Sequence, residues 1–352
     1  MEQKMSFKEN ILSKSNSYRY YKEKNIELQK EIDSLKKQVN NSENTKTLRD
    51  EYFRTYGLSG SFSNWDYVDF YLQDDFEDKF KEITEKLDSE SKKLYKWIYL
   101  RVLFVNLVTK QTIYLDEELE MQNKFTEFNI QNTKQDEVAG FKFSGNYNIH
   151  AFINLGLTLE DKKFLKNKDI IDAGAFTGDT SLPLSKITKR NVYAFEPFDE
   201  SFNLLKNNIK KNSIHNIIPV KKSLGNMNGE RTLYLSGNNV QGITSDPDIR
   251  NYDNELKVQE ITLDEFVEKN NVEVGLITID VEGAEMDLLK GALNTIKTQK
   301  PILNISIYHK ASDFFEIIPW IANLNLGYEF KVEKEQPWPF LADTVVQCRI
   351  NK

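Results

Sequence analysis

Cysteine is almost absent from this 352-residue chain; Cys348 is the only one. A single thiol cannot close an internal disulfide, which fits a reducing cytoplasm. Cys348 itself falls in an apolar-alternating segment and reads as a buried strand residue. Histidine is nearly as scarce. His150, His215 and His309 lie far apart without ligand spacing, so no His/Cys zinc centre is expected and no metal is assigned. Long apolar runs are missing too. The opening segment, residues 1–25, holds none that would serve as a signal peptide. The most apolar stretch of the N-terminal half, Leu94 to Val108, is interrupted by Lys96 and Arg101. It reads as a buried amphipathic helix and not a membrane span, and the expected location is cytoplasmic. An excess of positive charge is also lacking. The net charge of −7 argues against a nucleic-acid backbone as the main partner.

Glycine is absent between Gly60 and Gly140, as expected of long helices. Three regions follow from the pattern: a helical, coiled-coil N-terminus over 1–50, a helical region over 51–139, and an alternating α/β domain over 140–352. Within the first, Tyr18, Tyr21, Leu28, Ile32, Leu35 and Val39 space a seam in threes and fours, with Asn25 in one slot. This seam reads either as a short coiled coil, giving a homodimer through residues 18–39, or as a helix folding back on its own domain. The polar stretch 40–47 breaks it. From Trp65 to about Lys134 the pattern is helical and acidic-amphipathic.

After Gly140 short β-rich runs alternate with helical ones, the mark of a parallel sheet covered by helices. The runs are 168–174, 191–197, 217–223, 274–280, 301–309, 328–333 and 343–350. Five follow a βαβ rhythm and the last two form a hairpin. The fold class expected is therefore α/β, a doubly wound, Rossmann-like, seven-stranded sheet behind a helical region.

Chemistry gathers where these strands end. The first runs into Asp172, Ala173, Gly174, Ala175, Phe176, Thr177, Gly178, Asp179 and Thr180, with a helix following. Gly174 and Gly178 permit a tight turn and a close backbone approach to a ligand. Freed N–H groups at the helix start would face the ligand's polar end. A dinucleotide fingerprint would need glycine at positions 176 and 179, which hold Phe176 and Asp179. Asp172 and Asp179 would repel a diphosphate but attract the ammonium and sulfonium of S-adenosylmethionine.

The second strand ends in Glu196, then Pro197 and Phe198. An acid there can accept both hydroxyls of a ribose, or it can offset a helix dipole. The fourth ends in Asp280, Val281, Glu282, Gly283, Ala284 and Glu285. Asp280 is placed to orient an acceptor or take its proton, and Glu282 to do the same, bind a metal or cap the next helix. Glu285 reads as a cap or packing residue. His309, at the end of the fifth strand, reads either as the acceptor of a hydroxyl proton or as a hydrogen-bonded structural histidine. His150 and His215 lie outside these edges and are taken as structural.

These residues resemble the FkbM family of methyltransferases, over roughly Tyr147 to the C-terminus. The resemblance is carried by IIDAGAFTGDT, VYAFEPFDESFNLLKNNI, ITLDEF, IDVEGAE and ISIYHKASDFFEIIPWI. It implies a seven-stranded methyltransferase fold, S-adenosyl-L-methionine as donor, and usually a hydroxyl of a sugar or related natural product as acceptor. It maps Asp172, Gly174, Phe176, Gly178, Glu196 and Asp280 to cofactor or active-site positions, and sets Ser223 and Leu224 beside the adenine. His309 matches a histidine that recurs in one branch of the family. The chain departs at the strand before Asp280, where a lysine is common and Thr278 or its neighbours stand. The expected partner is a small-molecule or glycan acceptor. The rival readings are a nicotinamide-dependent sugar dehydrogenase or epimerase, and a non-catalytic helical scaffold.

Overall fold

The computed structural model of the protein describes residues 65–71, 73–107, 123–124, 126–128, 131–134, 136–148, 150–153, 155–235, 254–334 and 341–350. The seam at 18–39, and the homodimer it would form, lie outside the described residues. The chain divides into two compact units, residues 1–63 with 105–110, and residues 64–104 with 111–352.

The described residues open with helices α1 (Trp65–Tyr71), α2 (Phe76–Glu85) and α3 (Ser89–Leu107), the last reaching the first unit at residue 105. The helical expectation ran to about Lys134. Instead Thr133 and Lys134 begin a small antiparallel meander, β1 (Thr133–Lys134), β2 (Glu137–Val138) and β3 (Phe141–Lys142). Left-handed backbone at Asp136, Ala139 and Gly140 makes its turns. Helices α4 (His150–Ile153) and α5 (Leu159–Leu165) follow. A capping box starts α5, with Thr158 accepting from the Asp161 N–H and Asp161 accepting from the Thr158 N–H.

The alternating part then runs β4 (Asp169–Ala173), α6 (Ser181–Leu184), β5 (Val192–Phe195), α7 (Asp199–Lys211) and β6 (Ile217–Val220). Next come β7 (Ser223–Leu224), β8 (Gly229–Leu235), β9 (Asn254–Ile261), α8 (Leu263–Asn270) and β10 (Val274–Ile279). The chain finishes with α9 (Glu285–Gly291), α10 (Leu293–Gln299), β11 (Ile302–Ser306), α11 (Ala311–Asn323), β12 (Glu329–Lys334) and β13 (Thr344–Arg349). All seven expected strands meet in one sheet, ordered β12-β13-β11-β10-β4-β5-β6. Strands β11, β10, β4, β5 and β6 are parallel, and β13 runs antiparallel to both β11 and β12.

Every residue of β4 and of β10 is buried, as a parallel sheet covered on both faces requires of its apolar central runs. Strand order reverses between these two. From β4 the chain winds outward to β5 and β6, and from β10 it winds the other way to β11. Crevices at such a switch, beyond the carboxyl ends of the strands, are where open α/β sheets hold ligands. A second small sheet, β7-β9-β8, was not anticipated. Arg231 on β8 ties it to α9, with Nη2 2.8 Å from Asp287 Oδ2.

The leading helices pack onto α11 through aromatic rings. Tyr95 stacks on Phe314 with centroids 4.0 Å apart, and Phe70 stacks on Phe315 at 4.9 Å. The Tyr95 hydroxyl donates to the Phe314 carbonyl. Asp66 Oδ2 accepts from the Ala311 N–H at 2.7 Å, satisfying one of the unpaired donors at the start of α11. Asp66→Ala is expected to lose about 1 kcal/mol, lowering the melting temperature by roughly 2–4 °C. A melting curve superimposable on wild type would show that this contact contributes nothing.

Candidate active site

Register places the candidate residues side by side. Thr278 is level with Asp172 and Ile279 with Ala173, while Ala173 is level with Phe195. Asp172 is the penultimate residue of β4, Glu196 follows β5 and Asp280 follows β10, so all three stand at one edge of three adjacent strands.

The turn after β4 is built by backbone bonds. The N–H groups of Gly174 and Ala175 both donate to the Phe195 carbonyl, at 3.1 and 2.9 Å. Gly174 sits at φ +84°, and a Cβ there would lie 1.8 Å from the Asp280 carbonyl oxygen. No side chain fits that approach, so the turn can touch β10 only through glycine. Phe176 takes φ +45°, a left-handed conformation uncommon for a bulky residue. Its N–H donates to Glu196 Oε2 at 2.9 Å, and the Phe198 N–H donates to Oε1 at 2.9 Å. Glu196 thus links the first turn to the second, and each oxygen keeps a further lone pair for a hydroxyl donor. Burial pushes its carboxyl up to about 8, against the pull of those two N–H groups.

Asp172 and Asp179 are buried and committed to protein donors. Asp172 accepts from the Ser181 hydroxyl, and from Thr278 Oγ1 at 2.8 Å. Burial pushes Asp172 up to about 6, while the two hydroxyls oppose it. Thr278 therefore supports the turn from below. Asp179 Oδ2 accepts from the Asn148 N–H at 2.6 Å. Nearby, Asn208 Nδ2 donates to the Ser144 and Thr177 carbonyls, both at 2.9 Å, and Thr177 Oγ1 donates to the Asn146 carbonyl at 2.7 Å. Residues 144–148 are fastened to the turn in this way. Sequence reading did not find Asn146, Asn148, Ser181 or Asn208, whose roles arise from backbone contacts without a motif. Phe198 packs against Leu233 and Val258 of the small sheet. Ser223 and Leu224 form β7, and Leu224 is buried.

The second half of the site centres on His309. Its side chain is 3% exposed, and Nδ1 lies 2.9 Å from Glu285 Oε1. Nε2 faces Asp280 Oδ1 at 3.4 Å and Glu282 Oε2 at 3.7 Å. Burial alone would lower the imidazole, but Glu285, Glu282 and Asp280 together hold it above its ordinary range. Burial would raise Glu285, which the neighbouring imidazole instead holds low. Burial, and then the neighbouring Glu285 charge, push the Asp313 carboxyl well above its ordinary range. Enclosure also raises Asp280, though its side chain keeps 51% of its surface open and water at the mouth tempers the effect.

Glu282 and Gly283 take φ +53° and +94°, and this left-handed pair turns the chain sharply between Asp280 and Glu285. Glu285 braces that turn by accepting from the Val281 N–H at 3.1 Å, while the helix it opens has no side-chain cap. It also grips His309, which the sequence did not suggest. The structure thus joins Asp280, Glu282 and His309, and leaves His215 on another loop.

Residues 172–330 match the methyltransferase FkbM domain family. Over 115 residues the chain is 27% identical to the hexuronic acid methyltransferase AglP of Haloferax volcanii, covering 32% of this chain and 45% of that protein. Among solved structures, a methyltransferase FkbM from Methylobacillus flagellatus KT aligns with 77% of this chain and 58% of its own, at 18% identity and TM-score 0.49. Fibrillarin of Aeropyrum pernix, solved with natively bound S-adenosyl-L-methionine, aligns with 53% of this chain and 68% of its own, at 13% identity and TM-score 0.31. The chain spans less than half the length of the curated relative it matches. The match to the methyltransferase FkbM domain, over residues 172 to 330, covers the strands and turns that build the crevice.

Proposed function

We propose that the protein transfers a methyl group from S-adenosyl-L-methionine to a hydroxyl of a sugar or glycan. The observation that carries this reading is Glu196, which spans the first two turns while keeping lone pairs for a ribose. The donor would lie along Gly174, Ala175, Phe176 and Gly178, reach Glu196, Pro197 and Phe198 with its ribose, and set its adenine towards Ser223 and Leu224. Asp172 and Asp179 hold the turn and add negative potential beneath a cationic guest.

The acceptor oxygen attacks the methyl carbon as the carbon–sulfur bond breaks, and the sulfonium becomes a neutral thioether. The hydroxyl proton passes to the Asp280–His309 pair. Because the sulfonium is already a good leaving group, collinear positioning supplies most of the acceleration. The hexuronic acid methyltransferase relative supports a sugar acceptor, and the acidic rim of Asp280 and Glu282 disfavours an anionic one unless its charge is offset. We place this reaction in the cytoplasm, on the buried free thiol of Cys348. No helix among the described residues is long and apolar enough to cross a membrane. The homodimer through residues 18–39 belongs to the same proposal.

Calorimetry with S-adenosylmethionine, its demethylated product and NAD tests the donor. Binding of the first two is expected, whereas binding of NAD alone would replace this reading with the nicotinamide one, and binding of none with the scaffold. Glu196→Gln is expected to weaken S-adenosylmethionine binding by about 10- to 100-fold, the worth of charge-assisted hydrogen bonds. The pH dependence has a definite sign. Ribose hydroxyls bind the ionised carboxylate, so affinity rises with pH until about 8, where Glu196 ionises. Below that, each pH unit costs up to about tenfold. A flat profile in wild type, or the same rise in Glu196→Gln, would remove Glu196 from the ribose.

A further inference from the structure

We propose that His309, Asp280 and Glu282 form a binding site for a divalent first-row cation, with Mn2+ as its probe, on the acceptor side of the crevice. This rests on reading that crevice as the place where the acceptor meets the donor; a bound cation takes the place of the proton on Nε2, and the acceptor's hydroxyl proton then leaves to a carboxylate of the cluster and not to the ring.

His309 Nε2 is buried and makes no hydrogen bond. The atoms it faces, Asp280 Oδ1 at 3.4 Å and Glu282 Oε2 at 3.7 Å, stand too far off for one. They stand at the right separation for something else. Ligands about 2.1 Å from one ion, at angles between square and tetrahedral, lie about 3–3.5 Å from each other. The imidazole–Asp280 spacing falls inside that window, and the 39% exposed Glu282 side chain needs only a small rotation to join it. Candidate ligand atoms of Asp280, Glu285 and His309 all lie within 4.8 Å of one another.

Glu285 is engaged on the opposite ring nitrogen. A carboxylate on Nδ1 fixes the tautomer that leaves Nε2 open, which is how metal-bound histidines are usually held. The donor set, one imidazole and two carboxylates, suits Mn2+, Fe2+ or Zn2+ better than Mg2+, which prefers oxygen alone. Charge points the same way. Three carboxylates converge on one imidazole, so a dication lowers the mutual repulsion that the cluster otherwise carries. Left-handed backbone at Glu282 presents its carboxylate to the crevice instead of continuing a regular turn. A cation here would also let the crevice accept an acidic sugar that the bare carboxylates would repel.

The test uses the full chain after treatment with a chelator. Mn2+ is added and the free ion is followed by electron paramagnetic resonance. Wild type is expected to take up one equivalent. Asp280→Asn and His309→Gln are each expected to weaken uptake at least tenfold, while Glu200→Gln, on the exposed start of α7, leaves it unchanged. Asp280 is half exposed, so its amide variant should keep the wild-type melting curve and separate ligand loss from misfolding. Absence of Mn2+ uptake by wild type, or undiminished uptake by both crevice variants, overturns the proposal. Calorimetry with S-adenosylmethionine on the same samples tells the two readings apart. Donor binding without Mn2+ uptake removes the cation site alone, and Mn2+ uptake without donor binding removes the methyltransferase reading of the crevice.

Discussion

A single methyl group added at Gly174, in Gly174→Ala, is expected to weaken S-adenosylmethionine binding by at least about 100-fold. The new Cβ would lie 1.8 Å from the Asp280 carbonyl oxygen, at a φ of +84° that side chains rarely adopt. Relief of that clash forces β4 and β10 apart at the edge where the two halves of the crevice meet. Displacement of reacting groups by about 1 Å is enough to cost about 100-fold in a positioned reaction. Overpacking and backbone strain together cost about 2–6 kcal/mol, so the melting temperature should fall by roughly 10 °C. Calorimetry and thermal melting read the two effects separately. Wild-type affinity in the alanine variant would mean that the donor does not use this turn.

The second large effect is expected at His309. His309→Gln should lower methyl transfer by about 100- to 10,000-fold, the range for loss of a proton-transfer group, while donor affinity stays within about twofold of wild type. The reasoning is geometric. Nε2 faces Asp280, across the crevice edge from the Gly174 turn, and Glu196 lies beyond that turn, two strands from Asp280. Transfer of a labelled methyl group to glycans from a strain lacking the gene would measure the first quantity, and calorimetry the second. Full transfer by the variant would make His309 a structural residue.

The strands were legible because their burial is written in composition. Ile170 and Ile171 in β4 and Leu276 and Ile277 in β10 form unbroken apolar runs that only a sheet covered on both faces explains. The turns at Gly174 and Glu196 were legible from glycine spacing and from an acid at a strand end. The small sheet was not. Strand β9 reads NELKVQEI, exposed over its first four residues, and no periodic pattern separates it from a polar loop. The sign of the charge at Asp172 and Asp179 could be read, but its direction could not, because Ser181, Thr278 and Asn148 reach those acids from three separate segments. The Glu285–His309 pair is hidden for a related reason. It depends on the left-handed step at Glu282 and Gly283, which folds the acid back towards a strand 24 residues away in sequence.

The aromatic packing of α1–α3 on α11 has a practical outcome. A truncated protein starting at residue 140 would leave the faces of Phe314 and Phe315 bare to water, immediately downstream of His309. Such a fragment would carry the full family match yet be prone to aggregation, and the loop bearing His309 would lose its buttress. The leading helices therefore shield the aromatic face of α11, and expression of the methyltransferase portion should begin no later than Asn64.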